Sequence, residues 1–186
     1  MRVSKIKRLC REEKVVYLTD QKNPVTGEIL QYVGDPVSLY PLRGLPYLEP
    51  ESLLAILDIP DNERKNWNVR HTKDWPDWIS TEDVGADIIL RRLRISIGYD
   101  RDYAVYEMGH TRLITFDSAY LRPLEGDISI VWRFLNGYKR EDAETEEGPL
   151  AGYIVAKRGM FFEACWMPAE LPVAAQEELK KIAGRI

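Results

Sequence analysis

Residues 151–167 read AGYIVAKRGMFFEACWM, the strongest fold signal in the chain. Two apolar arms, residues 151–156 and 160–167, flank the polar turn Lys157-Arg158-Gly159, which is the pattern of a β-hairpin. Each arm is apolar on both of its faces, and strands of that kind are covered on both sides in folded proteins. We therefore expect this hairpin to lie in the middle of a sheet.

Further strand signals lie upstream of this hairpin. They are short runs of β-branched, aromatic and apolar residues bounded by turn residues, and one of them alternates Leu93, Ile95 and Ile97 with polar positions. Residues 128–135 fit a strand, although part of that run also fits a helix. The predicted strands are residues 15–19, 29–33, 37–40, 93–97, 103–108 and 112–116.

Helix signals are fewer. Residues 50–58 begin with Pro50, which suits the first helical position, and their leucines form one stripe before Pro60 ends the helix. Residues 60–67 predict a second short helix and residues 172–185 a C-terminal one, whereas residues 1–13 fit either a strand or a short helix. We expect an α+β fold, a mainly antiparallel sheet with a few short helices and a C-terminal helix. It forms a single domain over residues 1–186, with a small lobe over residues 1–70 as the alternative.

Composition limits the classes of partner. The chain has 186 residues, 45% hydrophobic and 30% charged, with a formal net charge of −4. This charge gives no overall attraction to nucleic acid or to an anionic membrane, so any electrostatic function must come from local patches. The two cysteines, Cys10 and Cys165, are too few for a disulfide scaffold, and no run approaches the length of a membrane span. We expect a cytoplasmic protein with no membrane partner.

Signals of catalysis are weak. Neither His71 nor His110 has a histidine four residues away, and no nucleophile elbow or phosphate-binding glycine loop occurs. A zinc site would need both histidines and both cysteines from four distant places, whereas zinc ligands usually come in close pairs. We predict no catalytic residue, no metal and no cofactor, with His71 exposed in a loop and His110 in a turn.

A cluster of acids precedes the long strand. Paired carboxylates of this kind can hold magnesium in a hydrolase, which makes a metal-dependent hydrolase one alternative function. A solvated acidic loop that aids solubility is the simpler interpretation. The acids are Asp74, Asp77, Glu82, Asp83 and Asp87.

Arginines mark the strand that follows. Arg91, Arg92 and Arg94 are the candidate nucleic-acid-binding residues, because Arg92 and Arg94 should share one face of the strand and contact a phosphate backbone. The alternative is that acids on neighbouring segments, such as Glu107, pair with these arginines across the strands.

The sharpest local charge feature is residues 141–149, which read EDAETEEGP. This acidic run is either a solubilising connector or a mimic of phosphates that binds a basic surface on a partner protein, since arginine binds both groups. Its acids are Glu141, Asp142, Glu144, Glu146 and Glu147.

Two tryptophans, Trp75 and Trp78, flank Pro76-Asp77 in a predicted loop. Exposed aromatic residues on loops are enriched at protein interfaces, which makes this pair a candidate partner-binding anchor. The alternative is that both rings cap one end of the core. Trp132 and Trp166 lie in apolar runs and are expected in the core.

Residues 39–46 read LYPLRGLP, residues 51–56 read ESLLAI and residues 58–60 read DIP. Together with FDSAYLRPL at residues 116–124 and the hairpin ending Met167-Pro168, they resemble small accessory proteins of prophages and mobile elements in gut Firmicutes. One group of such proteins inhibits type II CRISPR effector nucleases, and this chain is similar to that group in size and acidity. The segments contain no motif diagnostic of a reaction.

This resemblance implies a non-enzymatic counter-defence protein that binds and inhibits a host defence protein, an RNA-guided nuclease, in the cytoplasm of a bacterial host. Such nucleases hold their heteroduplex in basic channels. The acidic run would compete there, with Trp75 and Trp78 as the apolar anchor. The alternatives are a nucleic-acid-binding accessory protein that acts through Arg91, Arg92 and Arg94, and the metal-dependent hydrolase.

Overall fold

Ten strands form one sheet in the computed structural model, which describes residues 2–82, 87–98, 100–109, 112–135 and 151–183. In chain order the strands are β1 (Val15–Lys22), β2 (Ile29–Asp35), β3 (Ser38–Pro41), β4 (Asn68–Thr72), β5 (Ile88–Gly98), β6 (Asp102–Met108), β7 (Arg112–Asp117), β8 (Ser129–Phe134), β9 (Gly152–Arg158) and β10 (Phe161–Trp166). The helices of the described residues are α1 (Val3–Leu9), α2 (Pro50–Ile56), α3 (Asp61–Arg64), α4 (Val173–Ala183) and a 3₁₀-helix at Ser118–Leu121.

The strand order is β4-β1-β2-β3-β10-β9-β8-β5-β6-β7. Neighbouring strands pair antiparallel throughout, apart from β1 and β4, which are parallel. The expected α+β fold with a mainly antiparallel sheet and a C-terminal helix is therefore confirmed. Residues 1–70 share this sheet with the rest of the chain, because β3 pairs with β10.

The predicted central hairpin is confirmed. β9 and β10 are the two middle strands of the order, and the first five residues of β9 are all buried. Gly159 adopts φ +59° at the turn, a conformation that glycine reaches without steric cost. Trp166 on β10 and Trp132 on β8 are among the largest fully buried side chains. The run at residues 128–135 is thus a strand rather than a helix.

The sheet has a main core on one face, which we call the inner face. There alternate residues of the central strands, such as Val33, Tyr40 and Ile154, pack with the leucines of α2 and with Ile6 of α1. The predicted first helix is confirmed, with Pro50 at its start. The inner face is therefore closed by the helices of the N-terminal part of the chain.

The opposite, outer face carries two smaller clusters. One is formed by strands β2, β8, β9 and β10 and is covered by residues 73–82, which we call the tryptophan loop. The other lies where Leu179 of α4 packs with Leu93 of β5 and Val105 of β6. Each cluster is buried by a single covering element, so the outer face has a thinner cover than the inner face.

Several local expectations need correction. The second helix spans only Asp61–Arg64, so it is shorter than expected. Of the two structures considered for residues 1–13, the short helix is confirmed at Val3–Leu9. On the C-terminal helix, Leu179 is buried and Ile182 is exposed. His71, expected in a loop, lies in β4, whose polar sequence carries no strand signal. None of the described helices combines the length and the apolar character needed to cross a membrane.

Candidate functional site

The tryptophan loop lies across the outer face, and its first tryptophan is part of the core. The Trp75 ring contacts Tyr32 with the ring centroids 4.4 Å apart, and its Nε1–H donates to the Ile79 carbonyl at 2.7 Å. Ile79 is itself buried in the outer-face cluster. For Trp75 the core-capping interpretation is therefore the correct one.

Trp78 differs from Trp75. Its ring meets Tyr153 edge-on at 5.8 Å, yet 43% of the residue is exposed to solvent. A large aromatic residue held against the surface by one ring contact keeps most of its outer face available to a partner. For Trp78 the role of a partner-binding anchor therefore stays a prediction.

Hydrogen bonds fix the loop to the sheet just after Trp78. The Ser80 N–H donates to the Tyr153 hydroxyl at 2.8 Å, and Arg133 Nη1 donates to the Ser80 carbonyl at 2.6 Å. The next residue, Thr81, accepts a hydrogen bond from Gln21 Nε2 at 2.8 Å. These contacts hold Trp78 in place before any partner arrives, which reduces the entropy lost on binding.

A buried ion pair contacts the tryptophan loop at Ser80. Arg133 donates through Nε and Nη2 to the two carboxylate oxygens of Asp87, both at 2.7 Å, and Lys157 Nζ lies 3.1 Å from Asp87 Oδ2. Burial disfavours the charged guanidinium, but the hydrogen bonds and charge of Asp87 outweigh it and raise the pKa of Arg133. Asp87 was expected in a solvated acidic loop. That expectation is wrong, because Asp87 is buried and paired.

A cavity of about 170 Å³ opens beside Trp78, between the tryptophan loop and the outer face. We call it the outer-face cavity. Tyr17, Leu39 and Cys165 line it from the strands. The pairing register places Gly34 between Tyr17 and Leu39. A Cβ atom at Gly34 would collide with the Ser38 backbone, so only glycine fits between these two residues.

Cys165 lines the cavity as a neutral group. Burial raises the pKa of its thiol to about 12. Only the thiolate is a strong nucleophile, so this thiol is unreactive near neutral pH and acts as a small apolar group. The cavity can therefore bind a group, but Cys165 supplies no covalent chemistry there.

The predicted arginines divide into two kinds. Arg91 donates through Nε to Glu107 at 2.7 Å, so the cross-strand pairing considered from the sequence is confirmed for this residue. Arg92 and Arg94 are exposed, with the buried Leu93 between them, and neither forms an ion pair within the described ranges. No hydrogen bond or ion pair of the described residues joins these arginines to the tryptophan loop.

Two predicted features lie outside the described residues. They are His110 and the acidic run with Glu141, Asp142, Glu144, Glu146 and Glu147. Asp83 of the acidic cluster lies outside them as well.

His71 lies in β4, so the prediction that it is exposed in a loop is wrong. Its Nε2 lies 2.9 Å from Asp20 Oδ1, which also accepts from Gln31 at 3.0 Å, and the Tyr47 hydroxyl donates to Asp20 Oδ2 at 2.8 Å. Burial alone would raise the pKa of Asp20, but these hydrogen bonds lower it overall, and the bond to Asp20 raises the pKa of Tyr47 to about 12. The group joins β4 to the rest of the sheet. Sequence reasoning missed it because its members are far apart in the chain.

Within the described ranges, no three His, Cys, Asp or Glu side chains are grouped as ligands for a metal ion. Comparison with protein-family models, with curated proteins and with solved structures finds no match to this chain.

Proposed function

We propose that this chain is a binding protein that docks on a basic surface of a partner protein, with Trp78 as its apolar anchor. The observation that carries the proposal is the exposure of Trp78 on a loop held by hydrogen bonds at Ser80 and Thr81. Preorganised aromatic residues of this kind supply a large share of the binding energy at protein interfaces.

Charge favours a basic partner. The tryptophan loop contains Asp74, Asp77 and Glu82 against one base, Lys73. The acidic run at residues 141–147 adds five acids elsewhere in the chain. Acidic patches bind basic surfaces and speed encounter with them, because complementary charge steers the approach of two proteins. The partner surface should therefore combine lysine or arginine with an apolar pocket for Trp78.

The partner that we propose is a host defence protein, an RNA-guided nuclease, as the resemblance to prophage accessory proteins implies. Such a nuclease has positively charged channels for nucleic acid and arginines that read a short DNA motif. Carboxylates can occupy those sites because arginine binds carboxylate and phosphate with the same paired hydrogen bonds. Inhibition would then be competitive and would need no chemistry from this chain.

The test uses a purified type II RNA-guided nuclease loaded with guide RNA. Cleavage of a target DNA and binding of this protein are measured together. Trp78→Ala should weaken binding by about 30-fold, the effect of a hot-spot residue. The matched control is Phe161→Ala, which removes another exposed aromatic, 66% accessible, at the turn of the central hairpin. Equal effects of the two variants would refute the anchor, and no binding by the native protein would refute the partner class.

A separate variant tests the acidic run. Replacing Glu141, Asp142, Glu144, Glu146 and Glu147 with serine should abolish inhibition and reduce the association rate, most strongly at low salt. Unchanged inhibition would remove the acidic run from the mechanism and leave Trp78 as the binding determinant.

A second candidate function is nucleic-acid binding, which the two exposed arginines favour. Arg92 and Arg94 have no ion-pair partner among the described residues, so their charges are available to phosphates. The double variant Arg92→Ser/Arg94→Ser should lose any gel shift of single- or double-stranded DNA at low salt. Arg91→Ser is the matched control, because Glu107 already pairs with Arg91. Absence of a shift with the native protein at low salt would exclude this function.

A further inference from the structure

We infer that the outer-face cavity binds one apolar side chain of a partner protein, a phenylalanine, leucine or methionine, with an adjacent lysine or arginine that pairs with Asp74. The inference rests on the proposed function in one respect, since it needs a protein partner. Occupation of the cavity, however, can be measured without that partner.

The size of the cavity sets the size of its occupant. Its volume is about 170 Å³. A dry apolar cavity of about 150 Å³ holds one benzene molecule. The outer-face cavity therefore fits one phenyl ring or one large aliphatic side chain, and it is too small for a drug-sized ligand, whose pockets are at least about 300 Å³.

The walls of the cavity select an apolar group. Leu39, Ile79 and Cys165 contribute apolar surface, and Tyr17 and Tyr153 contribute aromatic rings. The Tyr153 hydroxyl already accepts a hydrogen bond from Ser80, and the Tyr17 hydroxyl accepts one from Arg70. The hydroxyl groups of these tyrosines are therefore engaged, and the surface of the two rings and of the three apolar residues is suited to carbon.

The mouth of the cavity extends this apolar surface to the solvent. Val37, Trp78 and Met167 line it, and they are 41%, 43% and 36% exposed. A partner that inserted one side chain would cover all three residues at the same time. An apolar insert surrounded by a covered rim is the arrangement of a binding hot spot, because the rim excludes water from the contact at its centre.

Asp74 adds the charge preference. It lines the same cavity, it is exposed, and no ion pair engages it within the described part of the chain. The other carboxylate at the cavity, Asp35, already accepts hydrogen bonds from the Val37 N–H and the Ser38 hydroxyl. A basic residue next to the inserted side chain would therefore pair with Asp74 rather than with Asp35.

The experiment uses benzene and two capped dipeptides, N-acetyl-Phe-Lys-amide and N-acetyl-Phe-Glu-amide, with the full chain. Binding is followed through the NMR signals of the Met167 methyl group and the Trp78 indole N–H. Benzene should shift both signals in a saturable way. The Phe-Lys peptide should bind about threefold more tightly than the Phe-Glu peptide, the effect of one exposed ion pair. Asp74→Asn should remove that preference, and Glu82→Gln, outside the cavity lining, should keep it.

Two variants block the cavity. Leu39→Phe fills it from the strand side, and Val37→Arg closes the mouth from an exposed position that leaves the core unchanged. Each should abolish the shifts caused by benzene and by both peptides. Shifts that persist in Val37→Arg would overturn the inference, as would the absence of any shift in the native protein.

The remaining outcomes separate the occupants and the proposals. Binding of benzene without either peptide would overturn the peptide occupant in favour of a small apolar molecule, and equal binding of the two peptides would overturn the role of Asp74. Peptide binding without nuclease binding would support the inference and refute the proposed partner. Nuclease binding that depends on Trp78, without any shift caused by benzene or by the peptides, would support the proposed function and refute the inference.

Discussion

Removal of the Arg133 side chain tests how much a buried ion pair contributes to the stability of the fold. The Arg133 and Asp87 side chains are 4% and 8% exposed and share two hydrogen bonds of 2.7 Å. Removing one member of a buried pair usually costs 3–5 kcal/mol, because the other charge stays buried without its partner. Lys157, 3.1 Å from Asp87, still offsets part of that charge. We therefore expect Arg133→Ala to lower the free energy of unfolding by about 3 kcal/mol.

The matched control is Arg91→Ala. Arg91 also pairs with a carboxylate, Glu107, but its side chain is 71% exposed. Exposed pairs contribute about 0.2–1 kcal/mol, since solvent screens the charges. For a chain of this length a loss of about 3 kcal/mol lowers the melting temperature by roughly 6–12 °C, and a loss below about 1 kcal/mol by at most about 4 °C.

The assay is urea denaturation followed by tryptophan fluorescence, with thermal unfolding by circular dichroism as the second measurement. Arg133→Met combined with Asp87→Asn should recover part of the stability lost in Arg133→Ala, because no uncompensated carboxylate remains. Equal losses for Arg133→Ala and Arg91→Ala would refute the reasoning, since burial would then make no difference to the value of the ion pair.

Three further predictions concern the packing of the core, stability at acidic pH and the reactivity of Cys165. A Cβ atom at Gly152 would lie 2.5 Å from the Trp132 ring, so Gly152→Ala should lower the free energy of unfolding, measured in urea, by about 1–3 kcal/mol. Gly98→Ala is the control and should be nearly neutral, because the nearest atom to its Cβ would be 4.0 Å away. The hydrogen bonds of Asp20 lower its pKa in the folded state. Asp20 therefore adds to the free energy of unfolding at pH values above about 3.8, its pKa in the unfolded chain, and this stabilisation is lost as the pH falls below that value. Asp20→Asn should thus destabilise at pH 6, and the difference from the native protein should shrink at pH 3. Iodoacetamide at pH 8 should label Cys165, whose pKa is raised to about 12, only after unfolding; rapid labelling of the folded protein would contradict its burial.

Local sequence patterns predicted the parts of the fold that are local in the chain. The β9–β10 hairpin has its turn and both arms within one stretch, and its apolar character on both faces is a direct consequence of a central position. Helix α2 likewise has its proline start and leucine stripe within a few residues. Such elements are encoded by neighbouring residues, so a single sequence is enough to find them.

Elements that depend on distant residues escaped the sequence. β4 has one apolar residue, Val69, and exists through its parallel pairing with β1 and through the contact of His71 with Asp20, 51 residues away. A short polar segment of this kind has no periodicity that distinguishes a strand from a loop. The same limit applies to Asp87, because its partner, Arg133, lies on β8 and is 46 residues away in the chain.

The candidate site was found in part. The sequence selected Trp75 and Trp78 together because both flank the same Pro-Asp pair. Trp75 lies in the core because its ring contacts Tyr32, and this contact cannot be predicted from the spacing of residues in the sequence. The outer-face cavity was missed for a similar reason, since Tyr17, Leu39 and Trp78, which line it, are far apart in the chain and come together only in the folded protein.

The pairing of β3 with β10 has a consequence for synthesis of the chain. β3 ends at Pro41, and β10 begins at Phe161, so one edge of β3 stays unpaired until the later strand has been made. At about 5–20 residues per second, that interval lasts roughly 6–24 s. An open strand edge invites pairing with other chains during this time. Pro36 and Pro41, which stand at either end of β3, have no N–H group to offer such a partner and shorten the edge on which aggregation could begin.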